Sequence, residues 1–467
     1  MTTTETDVPE SATTPAYRDG NVLRWLTAYT ASLVGDSVYF VALAWSAQQA
    51  AGPTEVGLVL AAGALPRAIL MLGGGVLADR VDPRRVILGS DALRCVLILS
   101  VAAAVALTAP DLWLLVAVAL VFGVVDALFV PAIGALPPRI TGPDQLARVT
   151  GMRSLSMRLS QIAGPPIGGL AMGLGGEAAT FAVAGLLFAV SLPLLLTTRL
   201  RPLAERAGLG AHGGLGVRAG KRPEPGTARE DLLDGLRYIR HHRLIGPLVA
   251  AGAVCELGLI GTLNVGMVLL NAERGWGPSG YGFVISGFGA GAAVSAVLLT
   301  VAGWLPRAGL MLSGSLLVCC AGAATIALVP TLGTAVVLAV VIGLGAGLFG
   351  SLNNTLLQTA ADPAYLGRVT SVVMLTMVGL APLGYPVVGA AIGAWGAAPV
   401  FVGCGVFAVL GVAVTLSSGA VRQAQLPRPG ATAQEGGPQG GTRDGAQAPM
   451  CGKGTQAIGS SRCRSRS

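Results

Sequence analysis

The stretch Gly73–Arg85 reads GGGVLADRVDPRR. It joins two apolar segments, about 54–78 and 84–108, each long enough to cross a bilayer. Its three consecutive glycines let two helices approach closely. Asp79, Arg80, Asp82, Arg84 and Arg85 then follow in quick succession. No soluble core accommodates two Asp and three Arg between such segments. A short loop at a membrane surface, pinning neighbouring helices, does.

The rest of the composition agrees. Of 467 residues, 53% are hydrophobic and 12% are charged, about half the charged fraction of ordinary soluble domains. Apolar runs of about 20 residues recur from Val22 to Ser418. The 68 glycines fit close helix packing in lipid. The net charge of +8 sits in short loops and tails and forms no stripe on a soluble face, so a nucleic-acid partner is not expected. The polar, acidic start lacks the basic region of a cleavable signal peptide, so the first apolar segment reads as a retained span. Seven cysteines show neither metal-ligand nor disulfide spacing. No phosphate-cradling GxxxxGK[ST] loop is present, and His212, His241 and His242 all lie in the central loop. No enzyme, cofactor or metal is expected.

Twelve spans are predicted, at about 22–47, 54–78, 84–108, 112–137, 147–173, 178–198, 244–270, 279–303, 307–329, 332–358, 365–394 and 397–418. They divide the chain into a disordered N-terminus (1–21), a six-helix bundle (22–198), a linker (199–243), a second six-helix bundle (244–418) and a disordered tail (419–467). The linker ends in REDLLDGLRYIRHHR, the pattern of an amphipathic surface helix. Arg80, Arg84, Arg85, Arg139, Arg148, Arg307, Arg368, the linker and the tail share one side, which the positive-inside rule makes cytoplasmic. Both termini then face the cytoplasm.

The two bundles repeat one another. LARVTGM at Leu146–Met152 resembles LGRVTSV at Leu366–Val372, at an offset of 220. The same offset takes Gly123 to Gly343, Phe129 to Phe349, Gly164 to Gly384, Pro166 to Pro386, Gly169 to Gly389 and Asp36 to Glu256. A register kept from the first span to the fifth implies two parallel halves related by an axis along the membrane normal.

These features resemble the major facilitator superfamily over about 20–418, and within it the bacterial drug and siderophore exporters, enterobactin-exporter-like and macrolide-efflux-like. Gly75, Asp79, Arg80, Arg84 and Arg85 are similar to the superfamily's loop signature, although Val81, Asp82 and Pro83 replace the Gly that usually follows the first basic residue. The resemblance implies a cytoplasmic latch. Its Asp faces the helix end near Leu366–Arg368, where unpaired backbone N–H groups favour negative charge, and a loop Arg pairs with Asp126 of span 4. Plain basic anchoring by the positive-inside rule is the alternative. Gly164, Pro165, Pro166, Gly168 and Gly169 resemble the motif that marks the antiporter subset, with Ser160 where a further Gly usually stands. Gly282, Gly287, Gly289 and Gly291 in span 8 offer a matching smooth surface.

Ionisable groups inside spans are costly and usually functional. Asp36 lies mid-span, and Glu256 holds the equivalent place in the second half. Each can take a proton on one side and release it on the other, or serve as a fixed partner for Arg67 or a helix–helix contact. Arg67 faces inward, for pairing or for substrate. Asn264, Asn353, Asn354 and Gln358 are neutral polar candidates for the central cavity; adjacent Asn353 and Asn354 do not share a helix face. Asp91 and Arg94, three residues apart, are expected to pair. The resemblance implies a monomeric, proton-coupled antiporter in the cell membrane that exports a small amphipathic molecule. A proton-coupled uptake permease and a non-transporting receptor on the same fold stand as alternatives.

Overall fold

The computed structural model describes residues 15–73, 82–108, 111–200, 228–302, 307–362 and 365–426. Gly75, Asp79 and Arg80 lie outside the described residues, as does most of the linker. Among the described residues the chain is all helical. The long apolar helices are α1 (Gly20–Ala50), α2 (Pro53–Gly73), α3 (Pro83–Leu107) and α4 (Leu112–Gly134), then Leu146–Thr197, whose helix turns at Gly176 into α5 (146–175) and α6 (177–197). The second half is α7 (Ile245–Glu273), α8 (Gly277–Ala302), α9 (Ala308–Ile326), α10 (Leu332–Ala360), α11 (Leu366–Trp395) and α12 (Ala397–Ser417). Large apolar side chains such as Leu174 and Trp113 face outward, as a lipid-facing surface requires. The molecule is a multi-pass membrane protein.

Local chemistry sets the element ends. Asp82 caps α3 and accepts a hydrogen bond from the Arg84 backbone N–H at 3.4 Å, with Pro83 at the first helical position. Its carboxylate also meets Arg139 Nη1 at 3.0 Å, tying the α2–α3 junction to the α4–α5 junction. That hydrogen bond from Arg139 holds the Asp82 carboxyl below its ordinary range. Gly176 takes φ 71°, ψ −163°, open chiefly to glycine, and so separates α5 from α6. α7 carries a π-turn at Thr262–Gly266, and α11 breaks at Leu380, between Gly379 and a first turn holding Pro382.

The 220-residue repeat has a structural counterpart. A Cβ at Gly123 would collide with the Gly63 carbonyl, seating α4 on α2, and one at Gly343 would collide with the Phe288 carbonyl, seating α10 on α8. Gly169 brings α5 against α8, where a Cβ would stand 2.6 Å from the Pro278 carbonyl oxygen. Its counterpart Gly389 brings α11 against α2, 2.5 Å from the Pro53 carbonyl oxygen. These two crossed seams join the halves at the end remote from the α2–α3 junction.

Two expectations need correction. Of the α8 glycines, Gly282 and Gly289 meet α5 at Pro165 and Gln161, but Gly287 and Gly291 meet α10 at Val336 and Val340. Residues 282 and 289 are two helical turns apart on one face, whereas 287 and 291 fall on nearly the opposite face. The disorder expected from Gly419 does not hold over 419–426. Gly419–Arg422 forms a helical turn, Val421 is fully buried, and the Ala424 carbonyl accepts a hydrogen bond from Gly309 N–H at 3.3 Å.

The candidate transport site

Five ionisable side chains from four helices of the first half converge in its interior. Arg94 of α3 is fully buried and forms the hub. Its Nη2 donates to Asp126 Oδ1 of α4 at 2.8 Å, while its Nη1 lies 3.4 Å from Asp36 Oδ1 of α1 and 3.7 Å from Asp91 Oδ1. The rings of Phe129, Phe122 and Phe188 stand 4.2, 5.2 and 5.8 Å from its guanidinium carbon, so π-faces take up sides that water would otherwise hydrate. Arg67 of α2 reaches Asp126 Oδ2 at 3.2 Å and stays part-exposed to the cavity.

The three carboxylates are served unequally. Asp126 bridges two guanidinium groups. Asp91 accepts hydrogen bonds from Ser191 Oγ at 2.6 Å and Ser32 Oγ at 3.1 Å. Among the described residues Asp36 has only the ion contact with Arg94, and its buried Oδ1 has no hydrogen-bond partner. Three carboxylates face two guanidinium groups, so one proton neutralises the cluster.

Between the halves lies a cavity of three adjoining chambers. The inner one, about 570 Å³, is lined by Ser37, Phe40, Glu256, Asn264, Phe288, Asn353 and other, mostly apolar, side chains. A second, about 330 Å³, touches Arg67, Asp126, Tyr39 and Tyr385, and so connects the charge cluster to the cavity. The outer chamber, about 420 Å³, runs past Asn353, Asn354 and Gln358 to Leu366 and Thr370 at the start of α11. Such volumes suit a drug-sized molecule.

Residues 25–384 match the family model described as Major Facilitator Superfamily. The chain belongs to the major facilitator superfamily. Among curated proteins it is similar to enterobactin exporter EntS of Escherichia coli O1:K1, 27% identical over 364 residues, covering 76% of this chain and 80% of that one. The same figures hold for enterobactin exporter EntS of Shigella boydii. Among solved structures it resembles the nucleoside transporter NupG, with TM-score 0.64 at 13% identity over 86% of this chain and 99% of that one. It also resembles the inward-facing, occupied bacterial homologue of the human lysosomal transporter Spinster, with TM-score 0.64 at 15% identity over 87% and 98%. At these identities the solved structures speak for the shared fold.

Within this superfamily fold the sequence-based assignments take definite places. Glu256 lines the inner chamber and has no ion pair among the described residues. Asn264 lines both inner chambers and donates to the Ile260 carbonyl at 2.8 Å. Asn353 lines the inner and outer chambers; Asn354 and Gln358, joined at 3.2 Å, line the outer one, so both adjacent asparagines reach its wider walls. Asp126 was expected to meet a loop arginine; among the described residues, which leave out Arg80, it pairs with Arg67 and Arg94, well inside the bundle. Asp36 meets Arg94 rather than Arg67. Of the loop's described arginines, Arg84 donates from Nη2 to the Leu196 carbonyl at 2.9 Å, and Arg85 is exposed. Arg368 lies 3.8 Å from Asp234 of the linker helix (Ala228–His241). In the antiporter-type motif, a Cβ at Gly164 would meet Ser37 and one at Gly168 would meet Val41, so this stretch packs α5 on α1 as well as on α8. Ser160, in place of a glycine, donates to the Ser156 carbonyl at 2.9 Å. The sequence did not single out Arg158, Gln161, Tyr39 or Tyr385, all of which line the cavity.

Proposed function

We propose that this protein is a proton-coupled antiporter that exports a small amphipathic compound by alternating access. The observation that carries the reading is the unequal service of the three buried carboxylates. Asp126 is met by two guanidinium groups and Asp91 by Arg94 and two hydroxyl donors, while Asp36 has one ion contact and, among the described residues, no hydrogen bond to its Oδ1. The proton that neutralises the cluster therefore belongs on Asp36, and its loss leaves an uncompensated buried charge that favours another arrangement of the halves. Glu256, at the equivalent place in the second half, is a second carboxyl able to take a proton or to attract a cationic group.

Export, as against uptake, is supported by the likeness to enterobactin exporters and by the antiporter-type motif Gly164–Gly169. Sodium or other ions are not needed in this scheme; protons enter as the compound leaves. In this reading the loop residues Gly75, Asp79, Arg80, Arg84 and Arg85, with Arg368, serve as a latch at the end opposite the two glycine seams. That basic end faces the cytoplasm by the positive-inside rule, which places the protein in the cell membrane with both termini inside.

The test is dye efflux from energised cells of an efflux-deficient bacterium, comparing wild type with Asp36→Asn at equal membrane abundance. Wild type is expected to expel the dye when a proton gradient is present and to stop when it is collapsed, while Asp36→Asn is expected to lose at least tenfold in rate with the protein still folded. Gradient-dependent accumulation by the wild type would establish uptake instead. Undiminished efflux by the variant would move the proton site elsewhere.

A further inference from the structure

Arg67, Arg94 and Arg139 each have a carboxylate within ion-pair distance. Arg158 does not, among the described residues. It lies on α5, part-buried, and lines both the inner and the outer chamber. Its one hydrogen bond runs from Nη1 to Gln161 Oε1 at 3.3 Å, one turn along the same helix. A guanidinium offers five donors, so most of its capacity is uncommitted.

Across the cavity, on α10 of the other half, Asn353 lines the same two chambers. It is only 5% exposed, and its buried Oδ1 has no hydrogen-bond partner. A native fold rarely leaves a buried amide unpaired without a use for it. Glu256 brings the opposite charge to the inner chamber, but a carboxyl is made neutral by a proton. A guanidinium stays charged at every accessible pH. The permanent charge on the cavity wall is therefore positive.

We propose that at one end of the cavity Arg158 takes an oxyanion and Asn353 Oδ1 accepts from a donor on the same molecule, so that the compound carried is an apolar molecule bearing a carboxylate or sulfonate together with an N–H or O–H group. This rests on reading the cavity as the substrate site. The oxyanion meets Arg158 on α5 and the donor meets Asn353 on α10, one helix from each half, while the apolar body lies against Phe288, Phe349 and Met377. The charge-assisted contact on α5 and the hydrogen bond on α10 together orient the ligand and tie the two halves to it.

The experiment is a fluorescence titration of the purified full chain with two matched dyes. These are 1-anilinonaphthalene-8-sulfonate and its uncharged parent N-phenyl-1-naphthylamine. Wild type is expected to bind the sulfonate about tenfold or more tightly than the parent. Arg158→Gln is expected to bring the two to parity, Arg158→Lys to keep part of the preference, and Asn353→Ala to weaken binding of both dyes, which share an N–H donor, while the preference stays. Gln161→Glu places a carboxylate beside the guanidinium, and is expected to cancel the preference even if Arg158→Gln does not fold. A wild type that binds the sulfonate no better than the parent would overturn the proposal, as would a preference that survives both Arg158→Gln and Gln161→Glu. Binding is read without a proton gradient, so this result stands apart from the Asp36→Asn efflux test.

Discussion

Arg94 is the residue on which the first half depends. Its guanidinium is fully buried and is the shared partner of Asp36, Asp91 and Asp126. Replacing it with Met keeps the bulk but leaves Asp36 and Asp91 without a guanidinium partner, and Asp126 with Arg67 alone. Breaking a buried ion pair from one side costs about 3–5 kcal/mol. Arg94→Met is therefore expected to lower the melting temperature in detergent sharply, or to prevent recovery of folded protein. Arg67→Gln, at a side chain part-exposed to the cavity, is expected to melt near wild type. Equal melting of wild type and Arg94→Met would show that the hub carries no structural charge. Arg94 was legible in the sequence only as a neighbour of Asp91 at helical spacing; Asp36 and Asp126 come to it through the fold, from 58 residues before and 32 residues after it. Arg158 escaped notice for a different reason. It follows Arg148 and Arg153 at the start of a span, where a basic residue reads as a surface anchor.

At the scale of elements, the spans themselves were legible because the bilayer demands about 20 apolar residues in succession and leaves few other solutions. What hydropathy does not encode is how a helix is interrupted. The turn at Gly176, the π-turn at Thr262–Gly266 and the break at Leu380 all occur within apolar sequence, and their causes are backbone conformation and local packing. The seam between α5 and α8 makes a testable statement about elements. Gly169 lets the two backbones approach, and Ser279 Oγ donates to the Gly169 carbonyl at 3.2 Å across the seam. Gly169→Leu must push α5 and α8 apart. Cys255 and Cys319, which line the inner chamber, are then expected to react faster with a membrane-impermeant maleimide added on the side of that seam. Unchanged labelling would mean that the seam does not seal the cavity.

At the scale of the whole molecule, two crossed seams join the halves at one end of the cavity, and the proposed cycle of alternating access requires them to part. The α2–α11 seam offers a reversible lock. A Cβ at Gly393 would stand 3.8 Å from Thr54 Oγ1. The double variant Thr54→Cys, Gly393→Cys is expected to form a disulfide under mild oxidation, to stop efflux, and to regain it on reduction. Efflux that continues at the wild-type rate in the oxidised protein would rule out opening at this end as part of the cycle.

The two halves share a register but have diverged in what they enclose. The first holds five interlinked ionisable groups beside aromatic rings, and almost any single change there disturbs several partners at once. The second lines the cavity with Glu256, Asn264 and Asn353, each with few or no protein partners among the described residues. Duplicated copies freed from identical duties can specialise in this way, one keeping the charge cluster and the other lining the cavity. Chains descended from this one that carry different cargoes should therefore differ chiefly on the walls of α7 and α10, and engineering a new cargo should begin there and leave α1, α3 and α4 untouched.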